Sequence, residues 1–158
     1  MYPVGEENPV MKRTVEVLAR GVCLLKGYLL LCHTKGKHNT YLPGGHVEHG
    51  ESAVHALVRE VREELGQPSR VRRFLGAMEH AFGDGKGRVA EINLIFELDI
   101  PKINPLKPVQ SREDYIEFMW VPVRALHQYH LEPEPLRRCL CRWMCKRGGA
   151  PWASTITP

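Results

Sequence analysis

Apolar residues recur along this chain in three rhythms, and each rhythm predicts a kind of element. From Thr14 to Leu25 and from Tyr28 to His33 the chain is rich in Val, Leu and Cys, with Lys26-Gly27 between the runs as a two-residue turn, so this stretch reads as a β-hairpin. Val54, Leu57, Val58, Val61 and Leu65 recur at spacings of three and four. That period is helical; Ser52 stands ahead of it as an N-cap, and Gly66 with Pro68 stops it. Val71 to Phe82 and Arg88 to Ile100 read as strands joined by the turn Gly83-Asp84-Gly85-Lys86-Gly87, and the alternation of Ile92, Leu94, Phe96 and Leu98 predicts one buried sheet face.

Further along, Pro101, Pro105 and Pro108 punctuate a loop, Tyr115 to Val121 is a strand, and Val123 to Tyr129 starts a helix after Pro122. A last helix, Pro135 to Cys145, carries Leu136, Leu140, Trp143 and Met144 on one stripe that should pack on the sheet. Residues 1–12 lack periodicity and read as a leader, residues 13–147 as one domain, and residues 148–158 as a tail opened by Gly148, Gly149 and Pro151. A chain of 158 residues fills one ordinary domain and leaves no room for a second.

Composition narrows the class. A hydrophobic fraction of 43% and a charged fraction of 25% describe a soluble globular protein and exclude a disordered one. The N-terminal MYPVGEENPVMKR has no apolar core, so it is neither a signal peptide nor a membrane span, and the cytoplasm is the expected compartment. Five cysteines, an odd number, are expected as reduced thiols. A net charge of +4 suits an anionic ligand, but Lys and Arg are spread along the chain; small phosphates fit better than a nucleic-acid duplex. The apolar strands leave a homodimer open.

The chemistry concentrates between Tyr41 and Gln67. Pro43-Gly44-Gly45 brings backbone close to whatever binds there, the use to which glycine is suited. On the helix that follows, Glu60 stacks with both Glu63 and Glu64, three and four residues on. Like charges at these spacings cost on the order of 0.2 to 0.5 kcal/mol per pair, and they lie toward the end of the helix where the dipole disfavours anions. Carboxylates so placed are suited to hard cations such as Mg2+. The competing reading is a solvated acidic face offset by Arg59.

The spacing decides between these readings. Gly45, Glu51, Arg59, Glu60, Val61, Glu63, Glu64 and Gly66 match the pattern G-x5-E-x7-R-E-U-x-E-E-x-G-U, where U is apolar, and only Gln67 departs from it. The stretch therefore closely resembles the Nudix box, in its MutT-like form. The resemblance implies an α/β fold, an α/β/α sandwich with a mixed central β-sheet, and metal-dependent pyrophosphohydrolase activity on a nucleoside triphosphate or another nucleoside diphosphate linked to a moiety X. It also implies Mg2+ or Mn2+ as cofactor, held by Glu60, Glu63, Glu64 and the Gly45 carbonyl. One of these glutamates would deprotonate the attacking water, while Gly44, Glu51 and Arg59 would hold the loop and the glutamates in place. The alternative is a Nudix-fold nucleotide sensor without turnover, a class that usually loses a box glutamate; cap hydrolysis on messenger RNA would require a basic groove that the scattered charge does not suggest.

Outside the box the candidates are individual residues. Lys35, Lys37 and Arg88 could meet phosphate, Tyr41 could stack on a base, and Phe82 and Trp120 read rather as core. Glu79, Glu91 and Glu117 are candidates for a further acidic group. His46, His49, His55 and His80 lie near the site in sequence, with His80 the first to test. Cys139, Cys141 and Cys145 share one predicted helix and lack the spacing of a zinc pair. Three subfamily signatures are absent: the SQPWPFPxS run of NADH pyrophosphatases, the tyrosine of diadenosine polyphosphate hydrolases and the proline of ADP-ribose pyrophosphatases, whose windows hold Phe82 to Gly85.

Overall fold

A strand that is apolar on both faces has to be covered on both sides, and that requirement organises the molecule. The computed structural model describes residues 15–83, 88–145 and 152–156. The first apolar run divides at Cys23: β1 (Val15–Val22) enters one sheet, while β2 (Leu24–Leu25) turns through Lys26-Gly27 into β3 (Tyr28–Thr34) of another. The hairpin expected from the whole run is thus corrected to β2 and β3 alone, with Leu24 opposite Leu29 and Leu25 opposite Tyr28. Lys26 and Gly27 both take positive φ, 52° and 80°, the geometry that matches the twist of a tight hairpin.

The chain continues through β4 (Gly44–His46), α1 (Ala53–Leu65), β5 (Arg70–Gly83), β6 (Arg88–Asp99), β7 (Ile116–Pro122), α2 (Leu136–Met144) and β8 (Trp152–Ser154). Five strands form a mixed sheet in the order β4-β1-β6-β5-β8, and β2-β3-β7 form a second. β1 runs parallel to β6 and antiparallel to β4, which sets Arg20 opposite Gly44 and Ala19 opposite Gly45. The expected α/β class with a mixed sheet therefore holds, with the strands shared between two sheets.

Alternate residues of the same strands feed two cores. Ala19, Leu30, Cys32, Phe96 and Leu98 pack with Leu57, Val61 and Leu65 of α1. Val22, Leu29, Leu31 and Ile95 pack with Leu136, Leu140 and Trp143 of α2. The alternation in β6 was expected to mark one buried face; both faces are covered, because a helix lies on each side.

Other expectations change in detail. Ser52 caps α1 as expected, accepting the His55 N–H at 3.2 Å, and Gly66 ends it in the left-handed conformation at φ 64°. Val54, expected in the buried stripe, is 41% exposed, because the first turn extends past the core that begins at Ala56 and Leu57. The segment Val123–Gln128 is a 3-10 helix rather than an α-helix. Trp152–Ser154, within the expected tail, pairs in parallel with Ala77 to Glu79 of β5. The leader at residues 1–12 and the rest of that tail, Thr155 and Ile156 apart, lie outside the described residues. No helix among the described residues is long and apolar enough to cross a membrane.

All five cysteines are free. Cys23 and Cys32 are buried, and burial pushes the Cys23 thiol up to about 11 and the Cys32 thiol well above its ordinary value.

Candidate active site

The site begins where backbone approaches carboxylate. At Gly44, φ is 116°, and a Cβ would stand 2.2 Å from the Ala19 carbonyl oxygen of the neighbouring strand. At Gly45 a Cβ would meet the Glu60 carboxylate at 2.6 Å. A side chain at Gly44 would thus collide with the β1 backbone, and one at Gly45 would displace the Glu60 carboxylate, which is the local reason for consecutive glycines.

Arg59 organises the carboxylates around this turn. Its Nε and Nη2 donate to the two oxygens of Glu51, each at 3.0 Å, and Nη2 also donates to the His46 carbonyl at 3.0 Å. Nη1 donates to Glu60 at 3.0 Å and Glu63 at 3.1 Å. Every N–H of the guanidinium has an acceptor, so one side chain ties the loop to three carboxylates. The hydrogen bonds from Arg59 hold the Glu51 carboxyl below its ordinary range, and those to Glu51 and Glu60 raise the Arg59 guanidinium further.

Glu63 and Glu64 are adjacent in sequence and opposite in environment. The Glu63 side chain is 51% exposed, whereas Glu64 is 4% exposed and accepts the Gly44 N–H at 3.3 Å. Burial pushes the Glu64 carboxyl up to about 7, against the lowering pull of Arg20 and the Gly44 N–H; Glu60 and Glu113 add to the rise. Sequence spacing put Glu64 on a shared acidic face, but its carboxylate points inward beneath the glycine turn. Among the described residues no three His, Cys, Asp or Glu side chains are already gathered as metal ligands. The donor set nevertheless suits a hard divalent cation: three carboxylates and a glycine backbone with no side chain between it and Glu60.

A cleft of about 550 Å³ opens on the α2 side of the sheet, with Arg20, Tyr41, His80, Phe82, Glu91 and Asn93 in its lining. Arg20 joins it to the glycine turn: its Nη1 donates to the carbonyls of Gly44 and, at 3.2 Å, Leu42, and its guanidinium lies 5.3 Å over the Tyr41 ring. The Tyr41 hydroxyl bonds Thr34 at 3.2 Å, and burial raises its phenol.

The other residues singled out in the sequence fall in different places. His80 lines the cleft; its Nδ1 is 3.1 Å from the Thr155 hydroxyl, and its ring stacks on Phe82 at 5.2 Å. Phe82, expected in the core, is 38% exposed, because β5 reaches past the covering helix toward its hairpin end. Trp120 is half-buried against the α1-side core, with its Nε1 lacking a partner. Glu79 accepts the Ser154 hydroxyl at 2.7 Å. Lys37 is exposed in the turn after β3, and Glu117 pairs with His33 at 3.1 Å on the smaller sheet; neither lines the cleft. The Arg88 side chain lies outside the described residues.

Sequence reading missed Arg20, Asn93, Glu132 and Glu113. A lone arginine in the apolar run of β1 and a lone amide in Ile92-Asn93-Leu94-Ile95 were the available signals. Glu113 carries none; it stands near Glu64 because the Arg112 N–H bonds the Glu64 carbonyl at 2.7 Å, and its hydrogen bond from Tyr115 pushes that phenol up to about 12.

Fold and box agree with comparison to known proteins. The NUDIX domain family matches residues 13–143, so the chain belongs to the Nudix family. Nucleoside triphosphatase NudI of Escherichia fergusonii is 30% identical over 117 residues, 66% of this chain and 80% of that one. An ADP-ribose pyrophosphatase of Methanocaldococcus jannaschii is 39% identical over 71 residues; the match spans 42% of this chain and only 41% of that protein's length. Among solved structures, the MutT protein from Methanosarcina mazei Go1 superposes with a TM-score of 0.64 at 21% identity, covering 88% of this chain and 99% of that one. That likeness is one of fold.

Proposed function

We propose that the protein is a metal-dependent pyrophosphohydrolase that cleaves a diphosphate linkage in a nucleoside triphosphate or another nucleoside diphosphate derivative. One observation carries the reading: Glu60 and Glu64 lie against a glycine turn, Arg59 ties Glu51 and Glu63 to the same cluster, and Arg20 connects that turn to a cleft of nucleoside size. The names of the nucleoside triphosphatase and ADP-ribose pyrophosphatase relatives support the substrate class.

In this reading Glu60, Glu63, Glu64 and the Gly45 carbonyl hold Mg2+ or Mn2+. The bound cation supplies charge neutralisation for the diphosphate and an acidified water. Arg59 acts through the glutamates, fixing Glu60 and Glu63 beside the turn and keeping Glu51 on the loop. One glutamate takes the proton of the attacking water, and the Arg20 guanidinium offsets the negative charge that builds on the leaving phosphate. Tyr41 and His80 contribute walls of the nucleotide cleft.

The test is a broad panel of nucleotides and nucleoside diphosphate derivatives with Mg2+ or Mn2+, read by phosphate release after pyrophosphatase coupling. Hydrolysis that requires the metal is expected. Tight binding of a nucleotide without turnover would instead identify a sensor.

A further inference from the structure

The cleft separates its charges. Arg20 lies on the side of the glycine turn, whereas Glu91 and Glu132 are carboxylates in the lining. Phosphate oxygens are attracted to the first and repelled by the others. A nucleotide whose diphosphate sits at the box, as the proposed hydrolase requires, therefore turns its base toward Glu91.

Asn93 gives that end of the cleft its chemistry. It is 3% exposed, yet it lines the cleft, and its Nδ2 donates to the Glu91 carboxylate at 3.2 Å. That bond fixes the amide orientation, since only the nitrogen can donate to a carboxylate. Glu91 and Asn93 both line the cleft, so their remaining oxygens are acceptors that a ligand there can meet. Such acceptors favour a ligand that presents N–H groups. The stacked His80 and Phe82 rings add a flat surface for a planar ring.

We infer that Glu91, oriented by Asn93, reads the base, and that the cleft selects guanine. Guanine presents N1–H and N2–H side by side, which a carboxylate accepts as a pair. Adenine places the N1 lone pair beside N6–H, and cytosine places its N3 lone pair beside N4–H, so each sets a lone pair against the carboxylate. Uracil offers a single N–H between two carbonyls. An acceptor in the cleft left without a donor penalises the wrong base more than any loss of apolar contact.

The test compares guanosine, inosine and adenosine 5′-triphosphates as substrates with Mg2+. The expected order of kcat/KM is guanosine, inosine, adenosine, with about 10- to 100-fold between the first and last. Glu91→Gln presents a donor beside an acceptor, which suits adenine, and should shrink the guanosine-to-adenosine ratio by about tenfold or more. Equilibrium binding of guanosine and adenosine 5′-diphosphates without metal reads base preference apart from turnover. A guanine preference in binding that Glu91→Gln erases supports the inference even if no triphosphate is hydrolysed. Equal kcat/KM for guanosine and adenosine, or a ratio unmoved by Glu91→Gln, overturns it while leaving the hydrolase reading intact. Absence of nucleotide binding overturns both.

Discussion

On one side of the five-stranded sheet, the carboxylates of α1 are held by residues close in the chain: Glu60 and Glu63 by Arg59, which also grips Glu51 and the His46 carbonyl, and Glu64 by the Gly44 N–H. On the other side, the cleft draws Arg20 from β1, His80 from β5, Asn93 from β6 and Glu132 from the segment before α2. The first side is a local assembly stitched by one guanidinium. The second exists only once strands far apart in sequence have found their register, with His80 opposite Glu91 and Arg20 opposite Ile95. Reaction chemistry that needs a fixed constellation is served by the local design, while recognition can be altered one strand at a time without touching the constellation.

The largest effect should come from removing one charge on the local side. Glu63→Gln and Glu64→Gln should each lower kcat by about 100- to 1,000-fold in metal-dependent phosphate release, with far-ultraviolet dichroism unchanged. A drop of only a few-fold would mean that these carboxylates do not hold the catalytic metal.

Next in size is a pH effect on stability that separates these two neighbours. An unfolded glutamate titrates near 4.3, whereas Glu64 in the fold is raised to about 7. Between those values the folded chain holds the extra proton, so stability falls as pH rises through this window and levels off above it. The loss should be on the order of 3 kcal/mol, measured by denaturant unfolding in chelator at pH 5 and pH 8. Glu64→Gln should abolish that contribution, and Glu63→Gln should leave it; parallel profiles for wild type and Glu64→Gln would break the contrast.

Arg59→Ala should lower kcat by about 10- to 100-fold, as expected when ligands lose their orienting partner. Arg59→Lys should recover little of it, because an ammonium cannot reproduce the two-oxygen grip on Glu51. Full activity in the lysine variant would reduce Arg59 to a simple counter-charge. Smallest of all, Ser52→Ala should cost about 1 kcal/mol in chemical denaturation through the lost cap, and Val54→Ala about 0.5 kcal/mol or less because that side chain is exposed.

The same contrast explains what could be read from the sequence. α1 and its caps follow from local spacings that a linear reading preserves, and the resemblance gave Glu51 and Arg59 their holding role, but that the two grip each other appears only in the structure. The inward turn of Glu64 was hidden because helical periodicity ranks Glu60, Glu63 and Glu64 as one face, while the Gly44 N–H that receives Glu64 arrives from another element. Phe82 and Val54 were assigned to the core by their chemistry; only the extent of the covering helices decides otherwise. Asn93 and Arg20 owe their significance to strand register, and the split of the first apolar run at Cys23 depends on which sheet had room for each half.

The cysteines carry a practical consequence. Cys141 and Cys145 are exposed on and just after α2, while the thiols of Cys23 and Cys32 sit inside the core beneath α1 and stay protonated at neutral pH. Because alkylation requires thiolate and access, a maleimide dye would mark the surface pair at once and the buried pair only when the α1-side core opens. The molecule thus carries its own clock for the opening of that core, readable by mass spectrometry as a second wave of labelling.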